Sequence, residues 1–259
     1  MDLRCWSAFL ALWLLVACAP LTPDVPPAPR EYSGILVGTI RWSGEVTLVK
    51  DVIIPRGSHL VIEPGTRVQV TPSLSTKIEP EQLSSATELL IRGRLTALGS
   101  ASAPIEFVVA GEPDTAIGWA GIIAERAEAF AMEHVRIARA EQGLWLVATP
   151  GYVRNSLVRD SRYGMVFQQP SELEVRGNRI ESGEAGLFCW RGAQPQLIDN
   201  LIRNQVEEGL YIDALSHPRL QGNRLLANGV GLVATTPAYA EGNLLSDNQR
   251  DLLLLGGRR

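Results

Sequence analysis

The sequence predicts an all-β solenoid, a single chain wound into stacked rungs of about 20–23 residues. Three observations predict it. An Asn-x-Leu/Ile step recurs along the C-terminal half, at Asn155, Asn178, Asn200, Asn223 and Asn243. Eight or nine residues after each comes Gly164, Gly186, Gly209, Gly231 or, in the last copy, Asp251, followed by Met165, Leu187, Leu210, Leu232 or Leu252. Upstream, short β-branched runs are punctuated by Pro and Gly, as in Ile54-Pro55-Arg56-Gly57 and Glu63-Pro64-Gly65-Thr66, which favours strands joined by tight turns. No single repeat of this size can bury its apolar side, so stacking must make the core.

Composition agrees. Of 259 residues 46% are hydrophobic, enough for a core, and the net charge of −4 comes from both signs spread along the chain. That spread excludes the basic patch of a nucleic-acid binder, and no nucleic-acid partner is expected. Near the N-terminus, Arg4 precedes an apolar run from Trp6 to Ala17 that is too short to span a bilayer as a stable helix. Residues 1–17 read as a signal peptide. Prolines at 20, 23, 26, 27 and 29 make residues 18–33 an extended tether. The folded domain is expected over residues 34–259.

Within that domain Val46, Leu48, Val52 and Ile54 are strand-like. The polar stretch 71–88 breaks the rhythm and reads as a loop between two rungs. The rhythm resumes with Leu89-Leu90-Ile91, Arg94 to Gly99, Ile105-Glu106-Phe107 and Trp119 to Ile123. Residues 124–133 have helical composition, but turn and strand fit the surrounding period better. The inward set after each glycine is expected to be Leu144 and Leu146, Met165 and Phe167, Leu187 and Cys189, Leu210 and Ile212, Leu232 and Ala234, Leu252 and Leu254, since alternate strand residues share a face. Asparagines repeating in one column can stack as an amide ladder. Val135 fills that column one rung earlier, so the ladder is expected to start at Asn155. Glycine at the strand entrance suits a positive φ or a close backbone approach.

Two resemblances follow from these residues. Leu15-Val16-Ala17-Cys18 resembles the lipobox of bacterial lipoproteins, which implies cleavage before Cys18, acylation of that cysteine and a membrane partner through the lipid. Ala19, where an inner-membrane retention aspartate would sit, implies the outer membrane. Ile54 to Thr66, Gly93 to Phe107, Trp119 to Ile123 and the Asn/Gly repeats resemble the right-handed parallel β-helix proteins of the pectate-lyase-like superfamily. The resemblance covers most of residues 34–257 and implies that fold. Leucine-rich repeats share the period, but they place a tight Leu-x-x-Leu-x-Leu run before the asparagine, which is missing here.

The superfamily hosts polysaccharide lyases and hydrolases as well as proteins that only bind. Its calcium-dependent lyases stack carboxylates beside an arginine, and its polygalacturonases use neighbouring aspartates with Gly-His-Gly. Neither pattern is present. His59, His134 and His217 are far apart in sequence, and there is no zinc spacing, phosphate loop or serine elbow, so no catalytic residue and no cofactor are expected. Glu184 and Glu207 fall one rung apart and form a weak candidate for calcium; a solvated turn is the alternative. More suggestive is the outward column Trp145, Phe188 and Tyr211, with Trp190 beside it and the polar Gln168 and Asp213 nearby. Large aromatics facing out call for a ligand or a cover. A polysaccharide held on these rings is one reading, cover by a loop, the tether or a partner the other. Cys189 remains as the lone cysteine of the domain and reads as a small core hydrophobe. The expected function is an envelope-anchored β-helix that binds polysaccharide or plays a structural role, with a carbohydrate-active enzyme as the alternative.

One test follows from the tail. Replacing Cys18→Ser should move the protein from the membrane to the soluble fraction on cell fractionation. An unchanged distribution would remove the lipid anchor from the account.

Overall fold

The computed structural model describes residues 29–72, 85–111 and 117–256. The chain forms a right-handed parallel β-helix with three faces, each strand pairing in parallel with its counterpart one rung away. The first face includes His59–Ile62, Arg94–Leu98, Ala129–Glu133, Gly151–Arg154, Leu173–Arg176, Gln196–Ile198 and Arg219–Gln221. The second includes Arg67–Val70, Ile105–Val109, Val135–Ala138, Leu157–Arg159, Arg179–Glu181, Leu201–Arg203, Arg224–Leu226 and Leu244–Ser246. The third includes Glu88–Ile91, Trp119–Glu125, Ala140–Val147, Tyr163–Gln168, Ala185–Trp190, Glu208–Ile212, Val230–Ala234 and Arg250–Leu254. The long strand Glu45–Ile54 bends to serve both the second and third faces.

The interior is one continuous apolar column, filled from Val46 to Ala234 by alternate strand residues. The expected inward pairs are buried from Leu144 through Ala234. The last pair departs from the expectation: Leu252 is half-buried and Leu254 is 39% exposed, because no described rung stacks below them. Cys189 is fully buried, as expected of a core hydrophobe.

One boundary differs from the sequence reading, and one segment follows it. Gly34 does not open the domain: it lies inside the strand Arg30–Ile35, which pairs with Glu45–Ile54, and Tyr32 packs its ring 5.2 Å from that of the buried Trp42. Residues 124–133 are strand, turn and strand, since Phe130 and Met132 alternate inward in register with Leu95 and Ala97. The signal peptide, Cys18, most of the tether and residues 73–84 of the expected loop lie outside the described residues.

The corners carry the local physics. Where the first face turns into the second, one residue per rung is left-handed: His134, Asn155, Gly177, Asp199, Gly222 and Gly242, with φ between 48° and 70°. The next residue builds the ladder. The backbone N–H of Ser156 donates to Asn178 Oδ1 at 2.9 Å, that of Asn178 to Asn200 at 3.0 Å, that of Asn200 to Asn223 at 3.0 Å and that of Asn223 to Asn243 at 2.9 Å. Each Nδ2 donates again to the next Oδ1 and to the carbonyl of Val153, Val175 or Leu197. Every polar atom of these buried amides is thereby used, and each bond contributes about 0.5–1.5 kcal/mol net.

Asn155 is not in this ladder. It occupies the left-handed corner position, exposed, and donates to Glu133 Oε1 at 3.1 Å. The neighbouring Ser156 takes the column, and its Oγ accepts from Val135 N–H at 3.1 Å, so Val135 does sit where expected. A second ladder, unforeseen, stands at the corner between the second and third faces. There Ala140 N–H donates to Ser161 Oγ, Gly183 N–H to Gln205 Oε1, Gln205 N–H to Asn228 Oδ1 and Asn228 N–H to Asn248 Oδ1, at 2.9–3.2 Å. The preceding residues Arg139, Asp160, Ser182, Asn204, Ala227 and Asp247 are again left-handed.

The glycine column has the second of its two expected causes. At Gly186 an added Cβ would stand 2.3 Å from the Gly209 carbonyl oxygen and 2.5 Å from Ile202 Cγ2, and at Gly164 it would meet Gly186 and Ile180 equally closely. Neither has a positive φ. The backbone of the third face passes too near its neighbour for any side chain.

Asn200→Ala should lower the unfolding free energy by about 2–4 kcal/mol, because it orphans buried groups on both adjacent rungs at about 1–3 kcal/mol each. Asn155→Gly, by contrast, should change stability by less than about 0.5 kcal/mol. Chemical denaturation of the two variants checks the assignment; equal losses would contradict it.

Candidate functional site

The third face is apolar on its outer side as well as its inner side. Its outward column runs Ile53, Leu90, Ile123, Trp145, Val166, Phe188, Tyr211, Val233 in register. Ile53, Leu90, Ile123, Val166 and Val233 are buried although they point away from the solenoid interior. Only the lower part of this column was readable in sequence. The upper part was signalled by runs apolar in both phases, Leu89-Leu90-Ile91 and Ile122-Ile123, which is the pattern of a strand covered on both sides.

The sequence-predicted aromatics divide into two groups. Phe188, Trp190 and Tyr211 come together: Phe188 lies 4.8 Å from Trp190 and 5.6 Å from Tyr211 between ring centroids, and Trp190 meets Tyr211 edge-on at 6.4 Å. Trp145 is separated from them by Val166 and bridges to the cluster of Ile53, Leu90, Ala120 and Ile123. Its Nε1 is buried without a hydrogen-bond partner, as is Oε1 of Gln142 on the same strand.

The strip is therefore not the open one that the spacing suggested. Phe188 is only 6% exposed, because Trp190, Tyr211 and Tyr163 close round it. Tyr163 was missed. Its ring stands edge-on to Phe188 at 5.4 Å, and Arg162 lies 5.2 Å above its face. It precedes the glycine column instead of following it, three residues before the outward Val166, and the break in register at the glycine step, seen between Gln142 and Leu144 one rung earlier, turns it to the outward side. The result is a patch of three half-buried rings, Tyr163, Trp190 and Tyr211, on three successive rungs round a buried Phe188. Such ring pairs contribute about 0.5–1.5 kcal/mol beyond their area.

The polar groups near the patch are engaged in structure. Asp213 accepts from the backbone N–H of Arg191 at 2.7 Å, of Leu215 at 3.1 Å and of Ser216 at 2.8 Å, closing the turn after Glu208–Ile212. Burial pushes its carboxyl up, but bonds from Ser216, Arg191 and Leu215 outweigh that and hold it below the usual carboxylate range. Gln168 is buried beside Trp190 in the adjacent rung.

The weak calcium pair is not brought together as a site. Glu184 is held by Arg162 Nε at 3.0 Å, and Glu207 is exposed at the corner. Among the described residues no group of three His, Cys, Asp or Glu side chains could hold a metal ion. Hollows among the described residues lie elsewhere, among them a groove of about 550 Å³ lined by Pro170, Glu172, Gln196, His217 and Arg219, and a cleft of about 410 Å³ at the second corner lined by Ile117, Arg162, Glu184 and Val206.

Comparison with known proteins fits this fold. The family described as "Periplasmic copper-binding protein (NosD)" matches residues 107–252, more than half of the chain, and the chain belongs to it. No curated protein matches the chain. Among solved structures it is similar to the Azotobacter vinelandii mannuronan C-5 epimerase AlgE6 A-module, at 14% identity and a TM-score of 0.40, over 82% of this chain and 67% of that one. A likeness at that level carries no functional inference.

The family description implies copper, which favours imidazole, thiolate and thioether ligands. The described residues do not fit it. Met132 and Met165 are fully buried in the core, and so is Cys189, whose thiol is pushed up by burial and by Asp213. His59 is tied to Thr96 Oγ1 at 2.9 Å, His134 lies 3.8 Å from Glu133, and His217 lines the groove beside the first face.

Asp213 supplies a test by pH. A carboxyl whose folded pKa is depressed stabilises the fold above its unfolded pKa, and that contribution disappears as pH falls through the lower folded value. Asp213→Asn should therefore lower the melting temperature at neutral pH, and the gap from the parent should close in acid. A gap that is the same at both pH values would show that the charge is not what holds the turn.

Proposed function

We propose that this NosD-family chain is a binding protein of the bacterial envelope, anchored by lipid at Cys18 to the outer membrane, that holds a polysaccharide against the aromatic patch of its third face. One observation carries the reading: the half-buried rings of Tyr163, Trp190 and Tyr211 are fixed in place by packing on Phe188. Rings locked this way lose little freedom when a ligand arrives, and their apolar faces suit the CH-bearing faces of sugars. The patch crosses three rungs, about 9.6 Å along the axis at about 4.8 Å per rung, so it would accommodate a short stretch of an extended chain. Its carboxylates are committed, Asp213 to a turn and Glu184 to Arg162, which favours binding over acid–base chemistry at this place. The periplasmic family and the resemblance of residues 15–18 to a lipobox both support an envelope location.

The test is a glycan array probed with the soluble Cys18→Ser chain. Replacing Trp190→Ala and Tyr211→Ala together should reduce retention at least about tenfold with a small change in melting temperature, because both rings are partly exposed. Phe188→Ala should instead destabilise the fold by about 3 kcal/mol. If the double variant binds as the parent does, or the parent retains no glycan, the reading fails.

A further inference from the structure

The wall where the chain enters the first face carries a change of charge along the axis. Three successive rungs there read Glu172-Leu173-Glu174, Gln194-Pro195-Gln196 and His217-Pro218-Arg219. The middle residue of each is buried and the flanking pair points outward. Glu174, Gln196 and Arg219 stand one beneath the other in register, and the N–H groups of His217 and Arg219 donate to the carbonyls of Ala193 and Pro195 on the rung above. A proline fixes its own φ and keeps the residue before it extended, so Gln194 and His217 are presented by stiff backbone. The outward pairs thus pass from two carboxylates, through two amides, to an imidazole and a guanidinium.

All of these outward side chains except Glu174 line the groove of about 550 Å³. Glu174 is already engaged, with Arg154 Nε at 2.7 Å and Arg176 Nε at 3.7 Å. The side chains of Glu172, Gln194, Gln196, His217 and Arg219 make no hydrogen bond or ion pair with another described residue. They differ in this from charges higher on the same face, where Arg41 meets Glu63 at 2.9 Å and Arg94 meets Glu128 at 3.7 Å.

We propose that this groove binds a short unblocked peptide lying along the solenoid axis. Its ammonium would rest on Glu172, its carboxylate on Arg219 and His217, and its peptide groups on Gln194 and Gln196. Length decides the class of ligand. Glu172 and Arg219 are two rungs apart, about 9.6 Å at about 4.8 Å per rung. A free amino acid spans about 3.5 Å and cannot reach both ends, whereas three extended residues span about 10 Å. Each glutamine amide offers a carbonyl acceptor and an N–H donor, which is what a peptide group requires. A polyanion would meet repulsion from Glu172 and Glu174 at the upper end, and a polycation from Arg219 at the lower. The groove shares no residue with the aromatic patch and does not depend on it.

Calorimetric titration of the purified full chain tests this with trialanine, its N-acetyl form, its C-terminal amide, the doubly blocked peptide and free alanine. Trialanine should bind, and blocking either end or shortening to alanine should weaken binding at least about tenfold, because charge-assisted bonds are the strong ones. Glu172→Gln should weaken trialanine binding and erase the preference for it over the N-acetyl form. Arg219→Gln should likewise erase the preference over the amide. Both side chains are exposed, so both variants should melt with the parent. No binding of trialanine, equal affinity for the doubly blocked peptide, or a preference retained in either variant would overturn the proposal. The glycan array with Trp190 and Tyr211 replaced reports on the aromatic patch separately.

Discussion

From His134 onward every rung of this solenoid passes through left-handed backbone at two corners, and the hydrogen bonds that accept the corner amides are what the rest of the structure depends on. A non-glycine residue in that conformation costs of order 1–3 kcal/mol, and the chain accepts it at nine described positions of these two corners. At the first corner and in the lower rungs of the second, the side-chain oxygen of the following rung meets the exposed N–H. The bond runs along the solenoid axis, so each rung is aligned by the one beneath it. Register, and with it the identity of every outward residue, is a consequence.

Once register is fixed, the three faces diverge in character. The first and second carry charged residues outward, joined in cross-rung ion pairs such as Arg154 to Glu174 and Arg203 to Glu181. Such partly exposed pairs contribute little stability individually, so their arrangement is free to serve recognition. The third face is apolar on both sides, and its glycines let the backbone of one rung approach the next more closely than a Cβ permits. Paired charges and flat apolar surfaces are thereby placed on adjoining walls.

The period, the fold and most of the core were legible in the sequence because they depend on spacing alone. The ladder was legible where it is made of asparagine, at Asn178, Asn200, Asn223 and Asn243. It was misread at Asn155, where an asparagine serves the left-handed corner and a serine hydroxyl one residue later does the stacking. The second ladder was hidden by its mixture of Ser, Gly, Gln and Asn, although each member follows its first-corner counterpart by the same interval, as in Ser156 and Ser161 or Asn223 and Asn228. At the candidate site, spacing told which rings point outward but not that Tyr163 would join them and shield Phe188.

That constant interval has a consequence for how the molecule can vary. Successive first-corner ladder residues are 22, 22, 23 and 20 apart, and the second corner steps through the same 22, 23 and 20 over the rungs where it can be compared. Over these rungs the difference in length is taken up on the remaining edge, in turns such as the one Asp213 closes, whereas nearer the N-terminus the long connections stand at the second corner, between Val70 and Glu88 and between Val109 and Trp119. Along that edge the chain can be lengthened, shortened or given new residues while both ladders stay in step. The C-terminal part of the solenoid thus has two edges that set its pitch and a third that is open to evolutionary or engineered insertion.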